Sequence, residues 1–246
     1  MQSRLVELRN ILKKKKVSGF VIPSADEFQS EFCPAHARRL EWISGFTGSA
    51  GVAVITDKKA AFFTDGRYTL QAKNELIRGF DVFNIADKKP WDWASENIKK
   101  GRLAIDPWLH TELNAKKYID TIDVHLAKEN YIDLIWRDSP EKPDGTVKLY
   151  AQKYAGQKFE DKISNFVEIL NKNNAQACIM AVPESICWLL NIRGTDIPTT
   201  PSVLAFAILY QNGTVKIFLD KERVRQQVLS HFGTKVTICP LVLILC

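Results

Sequence analysis

The sequence predicts an α/β architecture of two tandem domains of similar topology, each a mixed sheet with helices. Three observations point to it. Residues 4–16 carry Leu5, Leu8, Ile11 and Leu12 at helical spacing, and residues 158–172 repeat that stripe with Ile163, Phe166, Val167 and Leu170. Each helix is followed by a short apolar strand closed by proline: Phe20 to Ile22 before Pro23, and Ala177 to Val182 before Pro183. Each strand then leads through a helix bearing a tryptophan, Trp42 or Trp188, to a hairpin.

The hairpins agree in detail. The first spans 51–65 around the polar turn Asp57-Lys58-Lys59; the second pairs strands 203–210 and 214–220 around Gln211-Asn212-Gly213. Asn-Gly between apolar runs is a strong local hairpin signal, because both residues accept positive φ. Val203 to Tyr210 is apolar throughout, as a strand buried on both faces would be. The copies differ in their insertions. The first places SADEFQSEFCPAHARRLE before its tryptophan helix; the second places NIRGTDIPTTPS before its hairpin.

Leu103 to Ile105 and Val124 to Leu126 read as further strands of the first half, with a helical pattern between them and another at 131–136. The stretch RDSPEKPDGT, residues 137–146, has two prolines, a glycine and no apolar residue, so it reads as a linker. We place the domains at 1–143 and 144–246, the second incomplete at its C-terminal end.

Composition narrows the function classes. The 246 residues are 46% hydrophobic and 25% charged, typical of a globular protein with room for two cores. A net charge of +6 is too weak for a dedicated nucleic-acid binder, and the Lys13–Lys16 run sits at a helix end, where cations favour the carbonyl pole. Five cysteines without CxxC spacing suggest free thiols in a reducing compartment. The N-terminus lacks the apolar core of a signal peptide, and the apolar run 238–246 is too short to span a membrane. These features predict a cytoplasmic chain with no nucleic-acid or membrane partner.

Few motifs carry chemistry. Gly45, Gly48 and Gly51 stand three apart; this fits neither a dinucleotide fingerprint nor a P-loop, and Ser49 lacks the flanking glycines of a nucleophile elbow. The spacing predicts glycines that serve the backbone as it leaves a helix for a strand. His36, His110, His125 and His231 lie far apart and no HExxH occurs, so no metal ligand and no catalytic residue is assigned. Asp26 and Glu27 could approach His36, though nothing in the spacing requires it. Arg67 is the candidate binding residue. It follows a Thr-Asp-Gly turn and precedes a helix starting near Thr69, where its planar fork can meet a carboxylate or carbonyl. The plainer reading is an ion pair with Asp65 or a surface charge. The position matching Arg67 after Asp220 is Glu222, so the repeated fold does not itself require arginine.

Several blocks, in order along nearly the whole chain, resemble the Xaa-Pro aminopeptidases (aminopeptidase P) of the creatinase/prolidase superfamily. They are VIPSADEFQSEF, RRLEWISGFTGSAG, FFTDGRYTLQA, AIDPWL, YIDLIW, YAGQKFEDKI and ICWLLNIRGTDIP. The resemblance implies two creatinase-type N-terminal domains without the "pita-bread" catalytic domain that follows them in the long form of the family. In that absent domain two divalent metals, usually manganese, are held by Asp, Asp, His, Glu and Glu, and a bridging hydroxide cleaves the bond before a proline in second position. On this reading the chain holds no cofactor of its own and is inactive alone. Its role is to shape substrate access and oligomerisation in a homo-oligomer, a dimer, acting on peptides with proline second. Arg67 matches the arginine of the family's T-D-G-R-Y motif, which reaches substrate. The chain departs from the family at Phe28, where the family has histidine. The alternative is a stand-alone, non-enzymatic interaction module.

Overall fold

The computed structural model describes residues 2–241. The chain divides into two compact units, Met1–Glu27 with Ala35–Glu141, and Phe28–Pro34 with Lys142–Cys246.

The first unit opens with α1 (Gln2–Lys15), which buries Leu5, Leu8 and Leu12 and ends on Lys13, Lys14 and Lys15 at its carbonyl pole. Then come β1 (Gly19–Pro23), α2 (Arg39–Ser44), the hairpin β2 (Val52–Thr56) and β3 (Ala60–Thr64), and α3 (Thr69–Glu75). The unit finishes with β4 (Asp81–Asn84), α4 (Pro90–Asn97), β5 (Leu103–Ile105), α5 (Glu112–Ile119) and β6 (Val124–Leu126). The sheet order is β4-β3-β2-β1-β5-β6. β2 is antiparallel to both β1 and β3, while β3–β4, β1–β5 and β5–β6 are parallel. Alternate residues of β1 face two cores. Phe20 and Ile22 join α1, α2 and the 127–136 segment; Val21 lies under Trp93 of α4 and Tyr118 of α5.

The second unit carries β7 (Lys148–Leu149), α6 (Gln152–Ala155), α7 (Phe159–Lys172), β8 (Ala177–Met180) and α8 (Pro183–Leu190). It continues with β9 (Ile192–Arg193), β10 (Phe206–Tyr210), β11 (Val215–Phe218), α9 (Gln226–Phe232) and β12 (Val236–Cys239). Its main sheet runs β12-β11-β10-β8. β10 is antiparallel to β8 and β11, and β11–β12 is parallel, which repeats the β1–β4 plan strand for strand. The tandem α/β reading therefore holds.

The correspondence extends to single residues. α2 ends on Gly45 (φ 85°) and α8 on Asn191 (φ 52°), both in the left-handed region that glycine and asparagine tolerate. Asp65 accepts the backbone N–H of Arg67 at 2.9 Å, and Asp220 accepts that of Glu222 at 3.0 Å. The two turns are the same local device.

Three expected elements differ from the sequence reading. Residues 131–136 form a single turn closed by Trp136 N–H to the Ile132 carbonyl at 2.9 Å, not a helix; one turn without tertiary extension cannot repay helix nucleation. The strand expected from Val203 begins at Phe206. Before it, Val203 N–H donates to Cys187 Sγ and Leu204 N–H to Asp196 Oδ2 at 2.7 Å, so these donors are taken by side chains before a ladder can form. The strand expected to Val182 ends at Met180, because Pro183 at the first position of α8 draws Val182 into the helix cap. Of the apolar run 238–246, residues 242–246 lie outside the described residues, as does the thiol of Cys246.

Candidate functional site

The turn after β3 is built from its two ends. Asp65 Oδ1 accepts both the backbone N–H and the Nε–H of Arg67, at 2.9 and 3.0 Å, and Oδ2 accepts from Nη2 at 2.7 Å. These hydrogen bonds hold the Asp65 carboxyl below the usual carboxylate range. The guanidinium also lies 5.1 Å from the centre of the Tyr68 ring, and the arginine side chain is 71% exposed. Arg67 is thus a surface cation held in part by the Asp65 carboxylate and the Tyr68 ring.

Behind it, the loop 45–51 is locked to α3. The Tyr68 hydroxyl is 2.9 Å from Ser49 Oγ, and its ring meets Phe46 edge-on at 5.9 Å. Glu75 accepts from Thr47 N–H at 2.8 Å, from Thr47 Oγ1 at 3.0 Å and from Gln71 Nε2 at 2.9 Å. The glycines allow this closeness. A Cβ on Gly48 would sit 2.3 Å from the Phe46 ring, and one on Gly51 2.6 Å from Phe62. Both serve packing of the loop, as the spacing predicted.

A second polar cluster in the same unit was not legible in the sequence. Arg39 is 5% exposed; its Nε donates to Asp133 Oδ1 at 2.7 Å, and its Nη2 donates to Asp133 Oδ2 at 3.0 Å and to Glu27 Oε1 at 3.2 Å. Burial disfavours the Arg39 charge, but the hydrogen bond to Asp133 and the two carboxylates outweigh it and keep the cation firmly protonated. For Glu27, burial pushes the carboxyl up, and the charge of Arg39, a backbone hydrogen bond, the hydrogen bond to Arg39 and the charge of His36 together outweigh this, leaving it below its ordinary value. Glu27 also feels His36, an approach the sequence allowed without requiring it, but its side-chain hydrogen bond goes to Arg39. Nearby, Asp106 accepts from Asn130 Nδ2 at 2.8 Å and from Trp108 N–H at 3.0 Å; burial still leaves its carboxyl raised.

The other candidate groups are dispersed. His110 packs edge-on against Tyr118 at 5.8 Å, and burial lowers its pKa to about 4. His231 lies 3.1 Å from the Leu190 carbonyl and 4.5 Å from the Phe159 ring centre. Cys187 is buried and its thiol is pushed up to about 11, whereas Cys33, Cys178 and Cys239 are half-buried. Among the described residues no group of three or more His, Cys, Asp and Glu side chains could hold a metal ion, so these residues do not by themselves fit a two-metal centre. No helix among them is long and apolar enough to cross a membrane. Phe28, the departure noted in the sequence, is 7% exposed and stacks on Phe206 at 4.6 Å in a small core with Ile197, Leu204 and Phe218.

A family model described as "Creatinase/Prolidase N-terminal domain" matches residues 4–131, and a second of the same description matches residues 138–244. The sequence is 35% identical over 247 residues to a "Probable Xaa-Pro aminopeptidase P" of Ajellomyces capsulatus (strain NAm1 / WU24), covering 96% of this chain and 40% of the relative. It is 37% identical over 248 residues to the protein of that name from Coccidioides posadasii (strain RMSCC 757 / Silveira), with the same coverage of 96% and 40%. Among solved structures, an X-prolyl aminopeptidase from Caenorhabditis elegans, described as a cytosolic enzyme with a di-nuclear active site, superposes with a TM-score of 0.90 at 26% identity. That match covers 98% of this chain and 42% of the other. The chain thus spans about 40% of the length of the curated relatives it matches.

Proposed function

The chain belongs to the creatinase/prolidase N-terminal domain family, in two tandem copies, and from that premise we propose that it is the non-catalytic N-terminal part of a metal-dependent Xaa-Pro aminopeptidase. The observation that carries this reading is one of extent. The two family matches account for nearly all of the chain, while its relatives named as Xaa-Pro aminopeptidases are far longer. In this reading the bond-breaking centre, with its two divalent metals, most often manganese, belongs to the remainder of such an enzyme. The domains, divided at 143/144, shape substrate access and assembly into a homodimer in the cytoplasm. The substrate is a peptide with proline in second position.

Arg67 is the residue of this chain that touches substrate in the proposal. Its exposed guanidinium, aimed by Asp65 and Tyr68, is suited to a peptide carboxylate or carbonyl. Two measurements test the reading. The purified 246-residue protein, given Mn²⁺ and an Xaa-Pro peptide, is expected to release no N-terminal residue; turnover would overturn the assignment. In a chimera carrying the remaining residues of a relative, Arg67→Ala is expected to raise KM about tenfold, equivalent to about 1.4 kcal/mol of lost binding, with Arg67→Lys intermediate. An unchanged KM would remove Arg67 from the site.

A further inference from the structure

The first unit holds a buried hydroxyl without a partner beside a group of exposed cations. Tyr131 is 1% exposed, and its ring packs on Phe20 at 4.7 Å between centres. Among the described residues its hydroxyl has no hydrogen-bond partner. Burying such a group costs stability that a phenylalanine at this place would not lose. The hydroxyl lies in the field of three charges, those of Lys15, Glu129 and Arg102. Lys15 ends α1, and Arg102 stands just before β5.

Short contacts fix the two cationic segments side by side. Ser18 N–H donates to the Arg102 carbonyl at 2.8 Å, and Ser18 Oγ to the Lys100 carbonyl at 3.0 Å. Gly101 has φ 97°, and a Cβ there would sit 2.2 Å from Ser18 Oγ, so this approach requires glycine. The link brings Lys15 and Lys16 beside Lys100 and Arg102, all four exposed. Among the described residues only Lys15 of these four forms an ion pair, with Glu129. Both side chains of that pair are well exposed, at 39% and 49%, where such a pair is worth little and opens readily. The carbonyl pole of α1 opposes an anion with about half an elementary charge, and the four cations outweigh it. Every part of this arrangement belongs to the first unit.

We propose that Lys15, Arg102 and the Tyr131 hydroxyl form a binding site for the phosphate group of a small soluble ligand, with Lys16 and Lys100 at its rim. The anion takes Lys15 from Glu129. The opening of that ion pair bares the Tyr131 hydroxyl, which becomes a third donor. Phosphate suits this set better than a carboxylate does. It offers three strong acceptor oxygens and about two negative charges, against one ammonium, one guanidinium and one O–H donor. Lysine serves phosphate as a point charge, and the arginine fork meets it through two parallel hydrogen bonds.

The test titrates the full chain with inorganic tripolyphosphate by calorimetry, in about 0.15 M KCl to screen diffuse attraction. Saturable binding at one site is expected. Tyr131→Phe keeps the ring against Phe20. It is expected to leave thermal stability unchanged or raised, because no hydrogen bond is lost, and to weaken binding about tenfold. Lys15→Gln and Arg102→Gln are each expected to weaken binding about tenfold. Glu129→Gln, which frees Lys15, is expected to tighten it about threefold. Lys58→Gln removes an equal charge from the β2–β3 turn and is expected to weaken binding about twofold or less. No saturable binding at millimolar probe would overturn the proposal, as would unchanged affinity in Tyr131→Phe. A loss of stability in Tyr131→Phe would also overturn it, by showing the hydroxyl already partnered. Lys58→Gln as damaging as Lys15→Gln would do so by showing diffuse attraction to a basic face. Binding to vesicles of anionic phospholipid without binding to tripolyphosphate would make a membrane surface the occupant and overturn it too.

Discussion

The ammonium of Lys162 donates to the carbonyl of Trp188 at 2.8 Å and lies 4.5 Å from the centre of its indole ring. The first unit contains the same relationship with other residues. Arg4 of α1 donates to the Trp42 carbonyl, and its guanidinium carbon lies 4.4 Å from that ring centre. In both units a cation near the start of the striped helix, α1 or α7, fastens the tryptophan helix. Lys162 is the more deeply committed, at 3% exposure, because it also donates to Asn191 Oδ1 at 2.7 Å.

Lys162→Ala is therefore expected to destabilise the second unit by about 2–4 kcal/mol, through Asn191 Oδ1 left without its donor, one of two donors lost to the Trp188 carbonyl, and the lost methylenes. Arg4→Ala should cost less, because Arg4 is only half-buried, whereas Lys162 also serves the buried Asn191 Oδ1. Urea unfolding monitored by Trp188 emission, the one tryptophan of the second unit, checks the first; a change under about 0.5 kcal/mol would contradict it.

Phe28→Ala is expected to cost about 3–4 kcal/mol, because the ring is buried against Phe206 and Phe218. The loss should fall on the second unit, although Phe28 lies in the first half of the sequence. Hydrogen exchange resolved by segment checks this: β10 and β11 should be more exposed in the variant, and β2 and β3 unchanged.

Arg39 and Glu27 give a pH dependence of known sign. Folding lowers the Glu27 pKa below 4.5, so this contribution is complete above pH 4.5 and is lost as pH falls through the lower, folded value. Wild type minus Glu27→Gln stability, measured by denaturant titration at several pH values, should be constant from pH 7 to about 5 and shrink in more acid solution. A difference that grows on acidification would contradict the ion pair.

His110 acts in a higher window. Burial lowers its pKa from 6.5 to about 4, and its Nε2 has no hydrogen-bond partner among the described residues. The unfolded chain takes up the proton first. Stability is complete above pH 6.5 and falls as pH drops from 6.5 towards 4, by at most about 3 kcal/mol. His110→Phe should flatten the profile in that range; an unchanged slope would show that the imidazole titrates normally.

What the sequence determined by itself is local. The stripes of α1 and α7, the prolines that close β1 and open α8, and the hairpin turns follow from side-chain period and backbone preference within a few residues. The Asp65–Arg67 pair is of the same kind, because its partners are two residues apart. Tertiary structure alone decided the rest. Asp133 meets Arg39 across 94 residues of sequence, Ser49 reaches Tyr68 from a separate loop, and the segment 28–34 packs as part of the second unit. Val21 of β1 is sealed by Trp93 and Tyr118, because the cover over a strand comes from chain elsewhere. Spacing encodes period and turn; it carries no term for which distant groups meet, since that depends on how loops close and which surfaces exclude water.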